Sequence, residues 1–488
     1  MKKILYFLLF CLTALSVQAK VKLPSAIGNG MVLQRNSEVN IWGWAKPGTI
    51  VRVQASWTDV TAKTKAAEDG KWLVSIPTGE AGGPYTITIK DSDEVVLEDI
   101  LLGEVWLCSG QSNMEMPVRG FESQPVNGSF EAVLHAGEFP DIRLFHIPRA
   151  TSDVPLDDCK AKWERSSMTS VSNFSATGYF FARSLHRALG VPVGMIESDW
   201  GATRIESWMS EEAALKVDKD ILSTNRFHDA SNQVATLYNA MLMPVANYTL
   251  RGFLWYQGES NKGYHSKYHL NMAEMVRCWR TTWRGGEMMP FYYVQLAPFD
   301  YDIPMHRFNG EVNPILLPLM VESQMKALEL IPNCAMAVNT DLGDALEIHP
   351  PHKEKVGKRL ALLALSGTYG FTGIDPTGPL YKSVEFSGNE AIITFESGTT
   401  LLPLREPLHG FEIAGEDKVF HKADAFVVFH DYDFSRKVRV SSDKVAKPVA
   451  VRYAFNNIVE KVNLTNTSGL PAYPFRTDNW DDVFPSHK

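Results

Sequence analysis

Between residues 21 and 100 the chain alternates apolar and polar positions over short stretches. Val39-Asn40-Ile41-Trp42-Gly43-Trp44, Val51-Arg52-Val53-Gln54-Ala55 and Tyr85-Thr86-Ile87-Thr88-Ile89 each keep a period of two, and turn residues at Lys46-Pro47-Gly48 and Asp69-Gly70 separate such stretches. That period puts one set of side chains on a buried face, and several short strands at this spacing predict a β-sandwich. From about residue 101 the pattern changes to continuous apolar runs at 105–108, 191–196, 253–256, 291–296 and 335–338. A parallel strand covered on both faces requires such a run. Helical segments lie between, such as 176–189 with Phe180, Leu185 and Leu189 near one face. Strand–helix alternation predicts an α/β domain with a parallel sheet, whose ligands sit beyond the carboxyl ends of the strands. From about 375 the alternating pattern returns at 391–395, 425–429 and 449–453. The expected organisation is a β domain over 20–100, an α/β domain over 101–374 and a β region over 375–488.

The first residues stand apart. Lys2 and Lys3 precede a nearly unbroken apolar run over 4–17, and Val17-Gln18-Ala19 supplies small residues at the positions before a cut. This is the layout of a secretory signal peptide over 1–19, so the mature chain is expected to start at Lys20 in the periplasm or outside the cell. No cysteine follows the cut, which argues against a lipoprotein, and no later apolar run is long enough to span a bilayer.

Charge narrows the function classes. Lys and Arg number 48 against 56 Asp and Glu, a formal net charge of -8, with no basic run, so neither nucleic acid nor a membrane surface is an expected partner. Once Cys11 leaves with the signal, Cys108, Cys159, Cys278 and Cys334 remain, far apart and without CxxC spacing, and read as mostly buried thiols. No His/Asp pair has tight ligand spacing, so a metal centre is not expected.

Candidate chemistry gathers where the parallel strands end. Gly110-Gln111-Ser112-Asn113-Met114 follows the run at 105–108, which sets Ser112 at a strand's carboxyl end on a turn that glycine permits. A serine hydroxyl is a weak nucleophile and needs a base and oxyanion donors nearby. Three further segments fall at the same edge: Trp200-Gly201-Ala202-Thr203-Arg204, Tyr256-Gln257-Gly258-Glu259-Ser260-Asn261, and Glu347-Ile348-His349-Pro350 ahead of a helix expected over 353–365. His349 is the candidate base.

These pieces make the chain similar to the sialate O-acetylesterases, members of the SGNH hydrolases. The matching segments also include Ile205-Glu206 and Trp208, Val294-Gln295-Leu296-Ala297, Asp341-Leu342-Gly343-Asp344, Lys355-Val356-Gly357, Gly469-Leu470-Pro471-Ala472 and Pro474-Phe475-Arg476-Thr477-Asp478, so the likeness covers nearly all of the mature chain. The resemblance implies a flavodoxin-like core, no cofactor and a two-step acyl transfer with Ser112 as nucleophile and His349 as base. It implies an oxyanion site made by the Ser112 N–H, the Gly201 region and a side-chain amide, here Gln257 with Asn261 as a weaker option. The implied substrate is an O-acetylated sugar, first O-acetyl sialic acid, with acetylated xylan as an alternative and carbohydrate binding without catalysis as a second.

The triad acid is less determined. Many SGNH enzymes place an aspartate three residues before the histidine, and Leu346 holds that position here. Glu347 is two residues away, a spacing that does not share a helical face. Related acetylxylan esterases use the glutamate of a Gln-Gly-Glu segment, which points to Glu259, with Asp344 as a third option. Arg204 could read the carboxylate of a sialic acid through its guanidinium fork, with Asn261 also near the substrate and Arg119 a weaker candidate of the same kind.

Overall fold

The structure is a computed structural model that describes residues 21–224, 229–303, 310–430, 433–459 and 461–482. The signal peptide expected over 1–19 lies outside these residues. At the centre is a mixed sheet whose core runs in the order Cys334–Ala337, Phe291–Val294, Gly252–Tyr256, Glu94–Gly110, Val193–Asp199, Ile142–His146, with all six parallel. Trp163–Arg165 closes the far edge antiparallel. The apolar runs fall in these strands, and from Ile100 onward their residues are buried, save the sheet-edge positions Cys334, Ala335 and the exposed His146. Ile142–His146, with an arginine at its second position, carries no clean run, which is why the apolar pattern alone passes over it.

Helices cover both faces. Ala176–Leu189 packs against Lys353–Gly367 so closely that a Cβ on Gly357 would lie 2.7 Å from the Phe180 Cβ. Phe181 of that pair meets Trp106 at 5.2 Å. On the other face His265–Thr282 packs against Leu316–Leu330, and Trp279 meets Phe253 at 5.2 Å. Side chains of successive strand residues point to opposite faces, so a strand covered by both helix pairs is mostly apolar along its length, and its buried polar residues, such as Glu197, Ser198 and Asp199, gather at the carboxyl end.

Glu94–Gly110 belongs to two sheets. Its first half pairs antiparallel with Gly82–Lys90 in the N-terminal β region, and its second half forms the centre of the parallel sheet. It therefore runs through the expected boundary at 100/101. Where the two sheets meet, Glu104 is fully buried and accepts hydrogen bonds from Arg35 (2.7 Å), Arg251 (2.9 Å), Gln34 (3.0 Å) and Tyr369 (2.9 Å). A buried carboxylate is tolerated only with such a set of partners. Further sheets follow after residue 380, tied to the core by the Arg476–Glu322 ion pair at 3.0 Å. The four cysteines are free; Cys108 is buried and the other three half-buried, more exposed than the sequence reading had them.

Candidate active site

Strand order reverses at Glu94–Gly110, since the later strands of the chain add on one side of it and Val193–Asp199 and Ile142–His146 on the other. A crevice opens at the carboxyl ends of such a switch point. The strand ends on Gly110 at φ +145°, where a Cβ would sit 2.1 Å from the Tyr256 carbonyl oxygen, so only glycine fits. Gln111 then donates its N–H to that same carbonyl (3.0 Å), and its side-chain oxygen accepts the N–H groups of Gly258 (3.3 Å) and Ser260 (3.2 Å). The turn is held at both ends, and Ser112 opens the one-turn helix Ser112–Glu115.

His349 reaches Ser112 from the loop after Cys334–Ala337. Arg359 of the following helix grips that loop with two 2.7 Å bonds to the Asp341 carboxylate. The imidazole Nε2 lies 2.8 Å from the Ser112 Oγ, and Nδ1 lies 2.8 Å from the Gln124 Oε1. Phe121 packs its edge against the ring at 5.3 Å. Burial, with a smaller contribution from the Lys353 charge, pushes the His349 pKa down to about 4. The imidazole is neutral at ordinary pH. An amide oxygen only accepts, so the Nδ1–H donates to Gln124, and Nε2 keeps its lone pair for the serine hydroxyl. This is the protonation state that a general base needs.

The sequence reading places Glu259 on the outer nitrogen of His349; the structure places Gln124 there. Glu259 is buried and accepts from the Asn113 amide at 2.5 Å. Asn113 also donates to the Ile348 carbonyl (3.0 Å) and accepts from the Lys353 ammonium, which is itself fully buried. Burial pushes the Glu259 carboxyl up and the Lys353 ammonium down to about 7. Glu259 thus braces the residue after the nucleophile. Asp344 accepts the N–H groups of Leu346 (2.7 Å) and Glu347 (3.1 Å) in an exposed turn, and Glu347 has no bond to the imidazole.

Other expected donors are spent. Gln257 is fully buried and gives its amide to the Thr203 carbonyl (3.0 Å) and Asn261 (2.8 Å) while accepting from Tyr268 (2.8 Å). Asn261 accepts from the Ile205 N–H (3.0 Å) and donates to the Glu206 carboxylate (3.0 Å). Arg204 is buried, pairs with Glu206 at 2.8 Å and stacks on Tyr264 at 4.4 Å. Arg119 is exposed and bonds Asn173 at 3.0 Å. Gly201 does sit beside the nucleophile: a Cβ there would be 3.1 Å from the Ser112 Cβ. Its N–H, however, donates to Glu115 at 2.8 Å. The sequence reading missed Gln124 and Glu115. Gln124 lies in a loop with no motif, and nothing in its neighbourhood marks it.

A model of the carbohydrate esterase family described as sialic acid-specific acetylesterase matches residues 102–366, more than half of the chain and all of the residues just described. The chain belongs to that family. It is a carboxylic-ester hydrolase by that membership. The human sialate O-acetylesterase is 29% identical over 409 residues, covering 76% of each chain. The mouse sialate O-acetylesterase is 30% identical over 437 residues, covering 76% of this chain and 78% of its own. A carbohydrate acetylesterase from Xanthomonas citri of known structure superposes with a TM-score of 0.83 at 35% identity, covering 94% of this chain and all of its own. The likeness extends well past the matched segment, so the β regions are shared as well. Within this esterase, the motifs at 200–208 and 257–261 join each other: the Trp208 indole donates to Thr203 at 2.9 Å, and Gln257 and Asn261 lock onto the same turn.

Proposed function

We propose that this esterase removes O-acetyl groups from sugars through an acetyl-enzyme on Ser112, with an SGNH-type arrangement and His349 as base. The observation that carries this is the 2.8 Å contact from Ser112 Oγ to a neutral imidazole whose other nitrogen is fixed. Ser112 Oγ attacks the acetyl carbonyl as its proton passes to His349 Nε2. The tetrahedral oxyanion is held by the backbone N–H groups of Ser112 and Gly201. Collapse releases the sugar oxygen with the proton from His349, and water, deprotonated by the same nitrogen, frees acetate and restores Ser112. Gln257 takes no part, because its amide hydrogens are already given away. O-acetyl sialic acid is the first substrate to test, on the strength of the relatives' names. A second reading, acetyl esters of neutral sugars such as xylan, is favoured by the pairing of Arg204 with Glu206, which weakens its claim on a substrate carboxylate. We also propose export, with removal of residues 1–19; intact mass of envelope or secreted material should begin at Lys20.

The test is acetate release from O-acetylated sialic acids, acetylated xylan fragments and 4-nitrophenyl acetate by the wild type and by Ser112→Ala. Retained hydrolysis in a folded Ser112→Ala variant would remove the nucleophile assignment, and absence of hydrolysis of any ester by the wild type would favour binding without catalysis.

A further inference from the structure

We propose that Glu115 is a displaceable plug on the oxyanion position, holding the Gly201 N–H in the resting enzyme and yielding it to the substrate's acetyl oxygen. The proposal rests on the esterase reading of Ser112 and Gly201. Glu115 closes the short helix that Ser112 opens. Its Oε2 accepts the Gly201 N–H at 2.8 Å. An atom attached to Gly201 as a Cβ would stand 3.0 Å from that oxygen and 3.1 Å from the Ser112 Cβ, with no other side chain so near. A carboxylate oxygen therefore sits beside the nucleophile on a donor that the tetrahedral intermediate needs. The second donor is open, since the Ser112 N–H has no acceptor among the described residues.

The carboxylate has somewhere to go. Its Oε1 accepts from Arg149 Nε at 2.6 Å, and Arg149 is half exposed and lies over the Trp200 ring at 5.4 Å. Arg149 can retain Glu115 when the Gly201 N–H is released. Asp199 is buried next to this group with neither carboxyl oxygen hydrogen-bonded, and Glu197 is buried against His146 at 3.2 Å. Burial pushes the Asp199 and Glu197 carboxyls up, and the Glu115 charge adds to both shifts, so Arg149 is the charged partner that Glu115 faces. Exchange at Gly201 is like for like: a carbonyl oxygen, then an oxyanion, replaces a carboxylate oxygen on one N–H. Acetate, the product, fits the same place.

A site that is open only part of the time binds its ligand more weakly in proportion to the open fraction. Removing the plug should restore that factor. Glu115→Ala is therefore expected to raise kcat/KM for 4-nitrophenyl acetate by about threefold to tenfold, mainly through a lower KM, and to strengthen inhibition by acetate by a similar factor. Glu115→Gln, whose amide oxygen can still accept from Gly201 without charge, should move both quantities in the same direction but less, and it serves where the alanine variant fails to fold. Acetate-dependent melting, read on protein without turnover, should show a larger shift in the variants than in the wild type. That readout separates this proposal from the assignment of Ser112, which the Ser112→Ala variant tests by itself. A fall in kcat/KM together with unchanged acetate inhibition and an unchanged acetate melting shift would show that Glu115 braces the Gly201 turn, and would overturn the plug.

Discussion

The turn at 110–124 and the turn at 257–261 leave neighbouring parallel strands and are stitched together by Gln111, yet they differ in what their polar groups face. In the first, the Ser112 hydroxyl and, through Gln124, the His349 ring remain half exposed and directed at each other. In the second, Gln257, Glu259 and Asn261 are buried and saturated by protein groups, apart from one oxygen of Glu259. Both carry sharp sequence motifs. A specific motif can therefore record an exacting internal hydrogen-bond network as readily as chemistry, because a buried polar side chain that loses its partner costs free energy much as a lost catalytic contact costs rate.

The widest separation between the two turns is expected in turnover. Ser112→Ala should lower kcat by at least about 10⁴-fold with melting unchanged, since the half-exposed hydroxyl supports only the reaction. In the second turn the effect should fall on stability. Asn261→Ala takes one partner each from the Gln257 amide, the Ile205 N–H and the Glu206 carboxylate in the interior and should lower unfolding free energy by about 3 kcal/mol in denaturant titrations. Folded Asn261→Ala protein should turn over within about tenfold of wild type. An opposite pattern, with a stable but inactive Asn261→Ala, would return that turn to the catalytic machinery.

How much of this was legible follows the same division. The five long apolar runs and the helix Ala176–Leu189 were readable because burial on both faces leaves an unmistakable pattern, and so was the placing of Ser112 and His349 at the carboxyl edge. Gly110 was readable as a turn residue, though not the 2.1 Å approach that demands it. The partner of His349 was not readable. Glu259 was a reasonable expectation from charge and kinship, but whether its carboxylate reaches the imidazole or Asn113 depends on backbone placement that no local pattern encodes. Gln124 carries no charge and comes from a loop shaped by the contact of Val118 with Phe174.

The acid limb of the rate profile sharpens the assignment. His349 must be neutral to accept the serine proton, and burial holds its pKa near 4. kcat/KM should be flat from neutral pH down to about 5 and fall about tenfold per unit once pH drops below about 4, as the base becomes protonated. Glu259→Gln should leave that limb in place and change turnover by less than about tenfold, because its partner is Asn113. A limb moved by Glu259→Gln would mean that its carboxylate faces the imidazole in the working enzyme.

The smallest effect concerns Gln124, and it distinguishes an oriented pair from a charged triad. The amide oxygen fixes the tautomer through one neutral hydrogen bond, worth about 1 kcal/mol, so Gln124→Ala should lower kcat/KM by roughly fivefold to tenfold. Gln124→Glu places a carboxylate on the same nitrogen. An opposite charge there favours the imidazolium, so the pKa of His349 rises and the acid limb must shift to higher pH. At neutral pH the base is still mostly deprotonated, and the imidazolium formed during attack gains stabilisation, so turnover should equal or exceed that of the wild type. A Gln124→Glu profile with its limb unmoved, or Gln124→Ala at full activity, would separate Gln124 from His349 in solution and leave the imidazole to be oriented by Phe121 and its own loop.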